Sequence, residues 1–344
     1  MVIVNDAAVA MSHPYDSTEN SALDSFRHAK VDLTDDEMKL GRGLRDLVIS
    51  GCEGISGTEG FPLLLKGESF LAGSLGRQTQ AQALDDVDLY LVMNSGGQNF
   101  HESDGIWVLE GQTPGPLSND LSLRWLGWVS ADLVLARVAE GLARVPLVTE
   151  YNLPVGVNNK RQSAYITYGN INIDISPVVW ARFDNRIDRY YMPQGHGSYA
   201  WKRTNPKEDQ RRLSTQNQQQ DGLLLPTIRM LKWWNDEKNG GRLKGILLET
   251  LTENGLRGMD LVGLAQALHL AFVSIHLALD SPPCEDPTDL GPPLDSTLSE
   301  ADRQASIVAA RTAHLHAIDA ANAVNSGDSA GAVSAWANVF PGLA

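Results

Sequence analysis

The clearest alternation in the chain runs from Asp86 to Met93, where Val87, Leu89, Leu91 and Met93 interleave with Asp86, Asp88, Tyr90 and Val92. A period of two is that of a strand with one buried face and one face that ends in polar groups. The same period returns in "AYITY" and "INIDI", joined by Gly169-Asn170, which together predict a hairpin. Its second strand sends Asn172, Asp174 and Ser176 to one face and Ile171, Ile173 and Ile175 to the other. Ahead of these, Ser69–Ala72 reads as a short strand that ends at a Gly73-Ser74 corner, with "LGRQTQAQA" as the helix after it.

Helical spacing dominates elsewhere. Thr34 and Glu37 form a capping box for a helix that runs through "LVISG". Ser130 caps "ADLVLARVAEGLARV", and Asn205-Pro206-Lys207-Glu208 places a cap, a first-turn proline and an N3 glutamate in order. A helix through "LLLPTIRMLKWWNDEKN" stops at Gly240-Gly241, with Pro226 in its first turn. Leu261–Leu279 carries no acidic or basic residue except histidine, but Gln266, His269 and His276 lie near one helical face. We read it as a buried helix whose wetter edge holds the two histidines, and expect no membrane span. Residues 94–120 read as a long loop, "SPPCEDPTDLGPPLD" as a proline-rich loop, and Ser299 to Asn338 as alanine-rich helices. The pattern divides the chain into a polar, weakly structured segment over 1–33, a mixed sheet-and-helix core over 34–204, and a helical lobe over 205–344, an α+β arrangement with a cleft between its two lobes.

Composition narrows the chemistry. The chain has 344 residues, with 42 acidic against 28 basic and a formal charge of -14, which argues against a surface that tracks a long polyanion. Its cysteines, Cys52 and Cys284, make neither a zinc pair nor a disulfide framework, and "MVIVNDAAVAM" lacks the basic flank of a signal peptide, so a cytoplasmic location is expected.

The strand aspartates carry the sharpest signal. Asp86 and Asp88 project from one face with α-carbons roughly 7 Å apart and repel each other unless a cation sits between them; an all-oxygen donor set suits Mg²⁺, with Mn²⁺ as the alternative. Asp174, alone among apolar neighbours, becomes a third ligand if its strand pairs alongside. Gly73 lets backbone approach a ligand closely, Ser74 adds a hydroxyl, and a helix beginning there offers N–H groups to phosphate. Each piece alone is common; their order, strand, Gly-Ser, helix and Asp-x-Asp strand, is much more specific.

"GSLGRQTQ…DDVDLYLV" followed by "INIDISPV" resembles the polymerase β-type nucleotidyltransferase superfamily, and "YYMPQGHGSYAWKRTNPKED", "IRMLKWWN", "LLETL", "DPTDL" and "AVSAWANVFPG" are similar, in order, to the bacterial cGAS/DncV-like nucleotidyltransferases. The resemblance covers roughly residues 25 to 341. It implies a polymerase β-like core, Asp86, Asp88 and Asp174 as catalytic ligands of two Mg²⁺ ions, donor phosphates on Gly73 and Ser74, and Lys232 as a triphosphate-binding lysine. It implies as well NTP substrates including ATP, accessory regulatory proteins, and a cyclic di- or trinucleotide messenger in anti-phage signalling. Lys232 reads equally as the polar edge of an amphipathic helix. Trp233 and Trp234 read as core, and Tyr190, Tyr191 and Trp201 as base-stacking candidates in a loop. Where many relatives have serine, this chain has Gly245, which removes one ribose or phosphate contact. The alternatives are a terminal nucleotidyltransferase acting on RNA, a protein or a small molecule, and a catalytically dead nucleotide-binding partner.

Overall fold

The period-two segments form one sheet, and it is the frame of one of the molecule's two units. The computed structural model describes residues 15–96, 99–103, 106–110, 116–117, 120, 123–125, 127–183, 187–195 and 199–344. In chain order the elements are α1 (Ser17–Lys30), α2 (Asp35–Gly54), β1 (Phe70–Leu71), α3 (Gly73–Arg77), β2 (Asp86–Met93), β3 (Phe100–Ser103), β4 (Ile106–Glu110), β5 (Arg124–Trp125) and β6 (Trp128–Val129). After them come α4 (Ala131–Leu142), α5 (Pro146–Tyr151), β7 (Val155–Val157), β8 (Ala164–Tyr168), β9 (Ile171–Phe183), β10 (Ile187–Pro193), β11 (Trp201–Thr204), α6 (Pro206–Gln219), α7 (Leu224–Lys238), α8 (Gly245–Leu256), α9 (Leu264–Leu279), α10 (Glu300–Asn325) and α11 (Ser329–Val339).

The sheet order is β1-β2-β9-β10-β11-β4-β6-β5, with β8 and then β7 paired beside β9, and β3 beside β4. Strand β9 is long enough to pair with β2 in parallel and, further on, with β10 antiparallel. Val87, Leu89 and Leu91 of β2 and Ile171, Ile173 and Ile175 of β9 are buried, so the alternation in the sequence sets which face meets the core. The Gly169-Asn170 connection holds Tyr168 opposite Ile171, and Gly169 takes φ +62° to close it. The capping serine of α4 accepts the Leu133 N–H, and Asn205 accepts that of Glu208 at the start of α6.

Several expectations change. The stretch after the Gly-Ser corner does not make a helix over its length: α3 begins at Gly73 itself and ends after five residues at Arg77, where Gln78 turns left-handed at φ +61°. Residues beyond it leave the helix, with Ala81 bridging Asp32 and the Gln82 amide donating to the Asp32 carbonyl at 2.6 Å. The expected loop over 94–120 contains β3 and β4, because Val108 and Leu109 on the two faces of β4 are fully buried; residues 97–98, 104–105, 111–115 and 118–119 of it lie outside the described residues. Tyr190, Tyr191 and Trp201 are not loop residues but buried members of β10 and β11.

The weakly structured N-terminal segment is corrected as well. Residues 1–14 lie outside the described residues, but α1 follows them, with Asp16 accepting from the Thr18 and Glu19 N–H groups while the Glu19 carboxylate returns to Asp16. Leu23 and Phe26 of α1 enter the same apolar core as Trp234, Phe272 and Trp336. Few apolar residues at helical spacing suffice, because that core supplies the rest of the burial.

The chain divides into two units, neither of them contiguous in sequence. The sheet unit takes Asp35–Gly76 and Ala83–Glu208; the helical unit takes Met1–Thr34, Arg77–Gln82 and Asp209–Ala344. The helical core packs α7 and α8 around α9, and no helix among the described residues is long and apolar enough to cross a membrane. On α9 the two histidines are buried rather than a wet edge: His269 Nδ1 meets the Tyr15 hydroxyl at 2.8 Å and its Nε2 meets Nδ1 of His314 at 2.9 Å, with the His276 ring tilted against that of His314 at 5.6 Å between centroids. The polar stripe was legible; the partner that satisfies it, on α10, was not.

Candidate active site

In the sheet unit, the parallel pairing of β2 and β9 sets Asp86 opposite Asn172 and Asp88 opposite Asp174. Each strand sends these residues to the face away from its isoleucine and leucine row. One carboxylate oxygen from each of Asp86, Asp88 and Asp174 then lies within 4.8 Å of the others, and among the described residues no other group of His, Cys, Asp and Glu is gathered this way. Asn172 orients the third carboxylate, its amide donating to Asp174 Oδ1 at 3.1 Å, and its own N–H is held by the Asp85 carbonyl at 2.8 Å.

The Gly-Ser corner abuts this triad. Ala72 N–H donates to the Asp88 carbonyl at 2.8 Å, and Gly73 takes φ +57°. A Cβ on Gly73 would fall 1.6 Å from Asp88 Oδ2, so only glycine leaves room for the carboxylate. Ser74 is the next residue, half-buried on α3.

The electrostatics favour a cation. Burial, then the charges of Asp88, Asp174 and Asp85, push the Asp86 carboxyl up to about 7. Three clustered carboxylates with hard oxygen donors, one of them driven toward the neutral form by its neighbours, fit divalent ions of the Mg²⁺ or Mn²⁺ kind.

A second charged cluster lies in the helical unit, and it contains Lys232. The lysine is no solvent-facing edge of α7: its ammonium sits 2.6 Å from Glu249 Oε1 and 3.2 Å from Thr79 Oγ1. Glu249, on α8 and 1% exposed, also accepts from the Thr79 hydroxyl at 2.8 Å and from Arg77 through Nε at 2.7 Å and Nη2 at 3.3 Å. Burial alone would raise the Glu249 carboxyl; Arg77 and Lys232 outweigh it and hold it at about 2. Burial pushes Lys232 down, against the pull of Glu249. The excursion that carries Arg77 and Thr79 is fixed by Arg229, which spans Asp32 at 2.7 Å and the Gln78 carbonyl at 2.9 Å. Gly245 opens α8 beside this lysine; a Cβ there would lie 3.4 Å from Lys232 Cε, so a serine fits by size and its hydroxyl is what the chain lacks.

The structure therefore gathers Asp86, Asp88, Asp174 and Gly73, with Ser74 next in sequence, in one unit and places Lys232 in the other. Sequence reasoning missed Asn172, Arg77, Thr79 and Glu249 as members of these clusters. Asn172 carried a readable signal, since it alternates onto the face of Asp174; Glu249 lies 17 positions from Lys232 and carried none.

No family model matches the chain. A probable cyclic nucleotide synthase of Bacillus cereus (strain VD146) is 29% identical over 244 residues, which cover 68% of this chain and 70% of that protein. Among solved structures, CdnC of E. coli MS115-1 in complex with HORMA-deltaN aligns with a TM-score of 0.66 at 17% identity, covering 94% of this chain and 97% of that one. The DncV cyclic AMP-GMP synthase of Vibrio cholerae, a prokaryotic cGAS homolog, aligns at 0.63 and 14% identity, over 94% and 96% of the two chains. The structural likenesses establish the fold, an α+β sheet core with appended helices of the polymerase β kind, and the acidic triad lies on the sheet of that fold. The chain is similar to the cGAS/DncV-like nucleotidyltransferases in sequence, through the Bacillus cereus relative, and in fold, through CdnC and DncV.

Proposed function

We propose that the protein joins nucleoside triphosphates into a cyclic di- or trinucleotide, releasing pyrophosphate, with ATP among its substrates. The single observation that carries the reading is the carboxylate triad on two adjacent parallel strands, with oxygens within 4.8 Å and a glycine cut away beside one of them. The Bacillus cereus relative is named a cyclic nucleotide synthase, and CdnC has been solved with ATP and with a HORMA protein, which supports ATP use and an accessory partner here. A place in anti-phage signalling rests on the family resemblance.

Asp86, Asp88 and Asp174 would hold two divalent ions, which supply Lewis acidity at the attacking hydroxyl and neutralise charge on the triphosphate. Gly73 and Ser74 cradle the donor phosphates, and Lys232 is carried over from the family resemblance as a triphosphate-binding lysine. A ribose hydroxyl attacks the α-phosphorus in line; the bond to the β-phosphate oxygen breaks, pyrophosphate leaves, and Asp174 takes the hydroxyl proton. Asn172 keeps that carboxylate aimed. The linear product keeps a 5′-triphosphate, and a further attack on its α-phosphorus by its own terminal ribose closes the ring.

The test is incubation with four labelled NTPs and Mg²⁺, followed by phosphatase. Label that survives phosphatase and migrates as a ring supports the reading. Label added to an RNA 3′ end, with no phosphatase-resistant product, would overturn it in favour of terminal transfer.

A further inference from the structure

Lys232 is an unusual candidate for a phosphate ligand, because its ammonium is already spoken for. It is 13% exposed, bonded to a carboxylate that is itself 1% exposed, and shares that carboxylate with Arg77 at similar depth. We propose that Glu249 is a positioning residue for the phosphate-binding cations: it indexes Arg77 and Thr79, three and five residues beyond Ser74, onto α7 so that Lys232 and Arg77 are presented together. The inference rests on the reading of Lys232 as a triphosphate ligand and extends it to Arg77, which becomes a second cation of the same subsite.

Two considerations favour positioning over a purely structural part. The helices α7 and α8 already pack through Met230, Leu231, Trp234, Leu247, Leu248 and Leu251, and a buried ion cluster adds little to such a contact that apolar side chains of the same volume would not. The geometry is also saturated in a directed way. Glu249 Oε1 receives Lys232, Thr79 and one Arg77 nitrogen, Oε2 receives the other, and the four donors come from two separate stretches of chain. A lysine enclosed to this degree loses its proton readily unless an anion faces it. The groups that act on it are Glu249 from α8 and Asp236 from its own helix, which favour the charged form, and Arg77, which opposes it. Glu249 therefore both aims the ammonium and keeps it charged until a phosphate arrives to share it.

The experiment is the pH profile of kcat/KM for NTP in wild type, Glu249→Gln, Thr79→Val and Lys232→Ala, with melting temperatures alongside. Glu249→Gln should move the alkaline limb to lower pH by about one unit and raise KM more than it lowers kcat, with activity recovering on the acid side as Lys232 regains its proton. Thr79→Val removes a hydroxyl that bonds both partners and should shift the limb the same way by less, which keeps the test alive if Glu249→Gln folds poorly. In a Lys232→Ala background, Glu249→Gln should shift the limb no further. Loss of melting temperature and kcat in both Glu249→Gln and Thr79→Val, with the alkaline limb at its wild-type pH, would overturn the proposal and leave Glu249 a structural residue. A Lys232→Ala protein that binds NTP as wild type does would overturn instead the reading beneath it.

Discussion

The two charged clusters of this molecule are built on opposite electrostatic plans. In the sheet unit, three carboxylates face one another, and burial together with their mutual repulsion pushes the Asp86 carboxyl up to about 7. In the helical unit, one carboxylate is surrounded by two cations and a hydroxyl, and Glu249 is held down at about 2. The first plan gathers like charges, and the second neutralises its carboxylate internally. Where a fold tolerates repulsion it has a ligand to gain; where it satisfies every donor it gains shape.

The strongest way to break the comparison is to remove the repulsive cluster. Asp86→Asn with Asp88→Asn should cut product formation by at least ~10³-fold, since on the proposed function each change deletes a charge that would hold a metal ion. The metal-free melting temperature should hold or rise, because the surface loses its self-repulsion. Product at the wild-type rate from a folded double variant would refute the metal-site assignment.

A smaller effect is expected when the triad is kept but misplaced. Gly73→Ala sets a methyl group 1.6 Å from Asp88 Oδ2 and requires alanine at φ +57°. A displacement of the carboxylate of order 1 Å should cost ~10²-fold in kcat. Unchanged kcat in a folded Gly73→Ala protein would show that the corner is free to move without consequence.

The smallest effect sharpens the contrast through pH. Asp86 is raised from 3.8 to about 7 in the folded state, so the folded chain binds more protons than the unfolded one in that interval. Metal-free stability should therefore fall as pH climbs from about 4 toward about 7, and added Mg²⁺ should flatten the slope at its upper end. Glu249 has the opposite sign: lowered from 4.5 to about 2, its contribution is full above the unfolded value and is lost as pH falls through the folded one. Thermal melts from pH 3 to pH 8, with and without Mg²⁺, check both limbs; Asp86→Asn should remove the upper slope and leave the lower.

How much of this was legible follows from how local each signal is. The Asp86–Met93 strand, the Gly169 hairpin and the caps at Ser130 and Asn205 were readable because each depends on a few neighbouring residues. The adjacency of Asp88 and Asp174 needed one guess about strand pairing, and the register bears it out. What sequence could not show is satisfaction at a distance. "LGRQTQAQA" has the composition of a helix, but Gln78 turns away and the residues after it bond to Asp32 and, through Arg229, to α7. Lys232 looked like a helix edge because Glu249 belongs to another element, and Tyr190, Tyr191 and Trp201 looked exposed because the aromatic partners that bury Tyr191, Phe100 and Trp107, lie on strands hidden in a Gly- and Asn-rich stretch.

The first helix of the helical unit finishes its burial only at the far end of the chain, where the Trp336 indole N–H donates to Glu19 at 2.9 Å and Ser329 bonds Asp16 at 2.6 Å, more than 300 residues later. During synthesis every residue of the sheet unit, which ends at Glu208, leaves the ribosome before those partners exist. Contacts of such sequence separation form late and slowly. Until then the Glu19 carboxylate of α1 has no Trp336 indole N–H to accept from, and Leu23 and Phe26 lack the Trp336 part of their core. The packing of α1 thus depends on Ser329 and Trp336, which the order of synthesis supplies after the whole sheet unit.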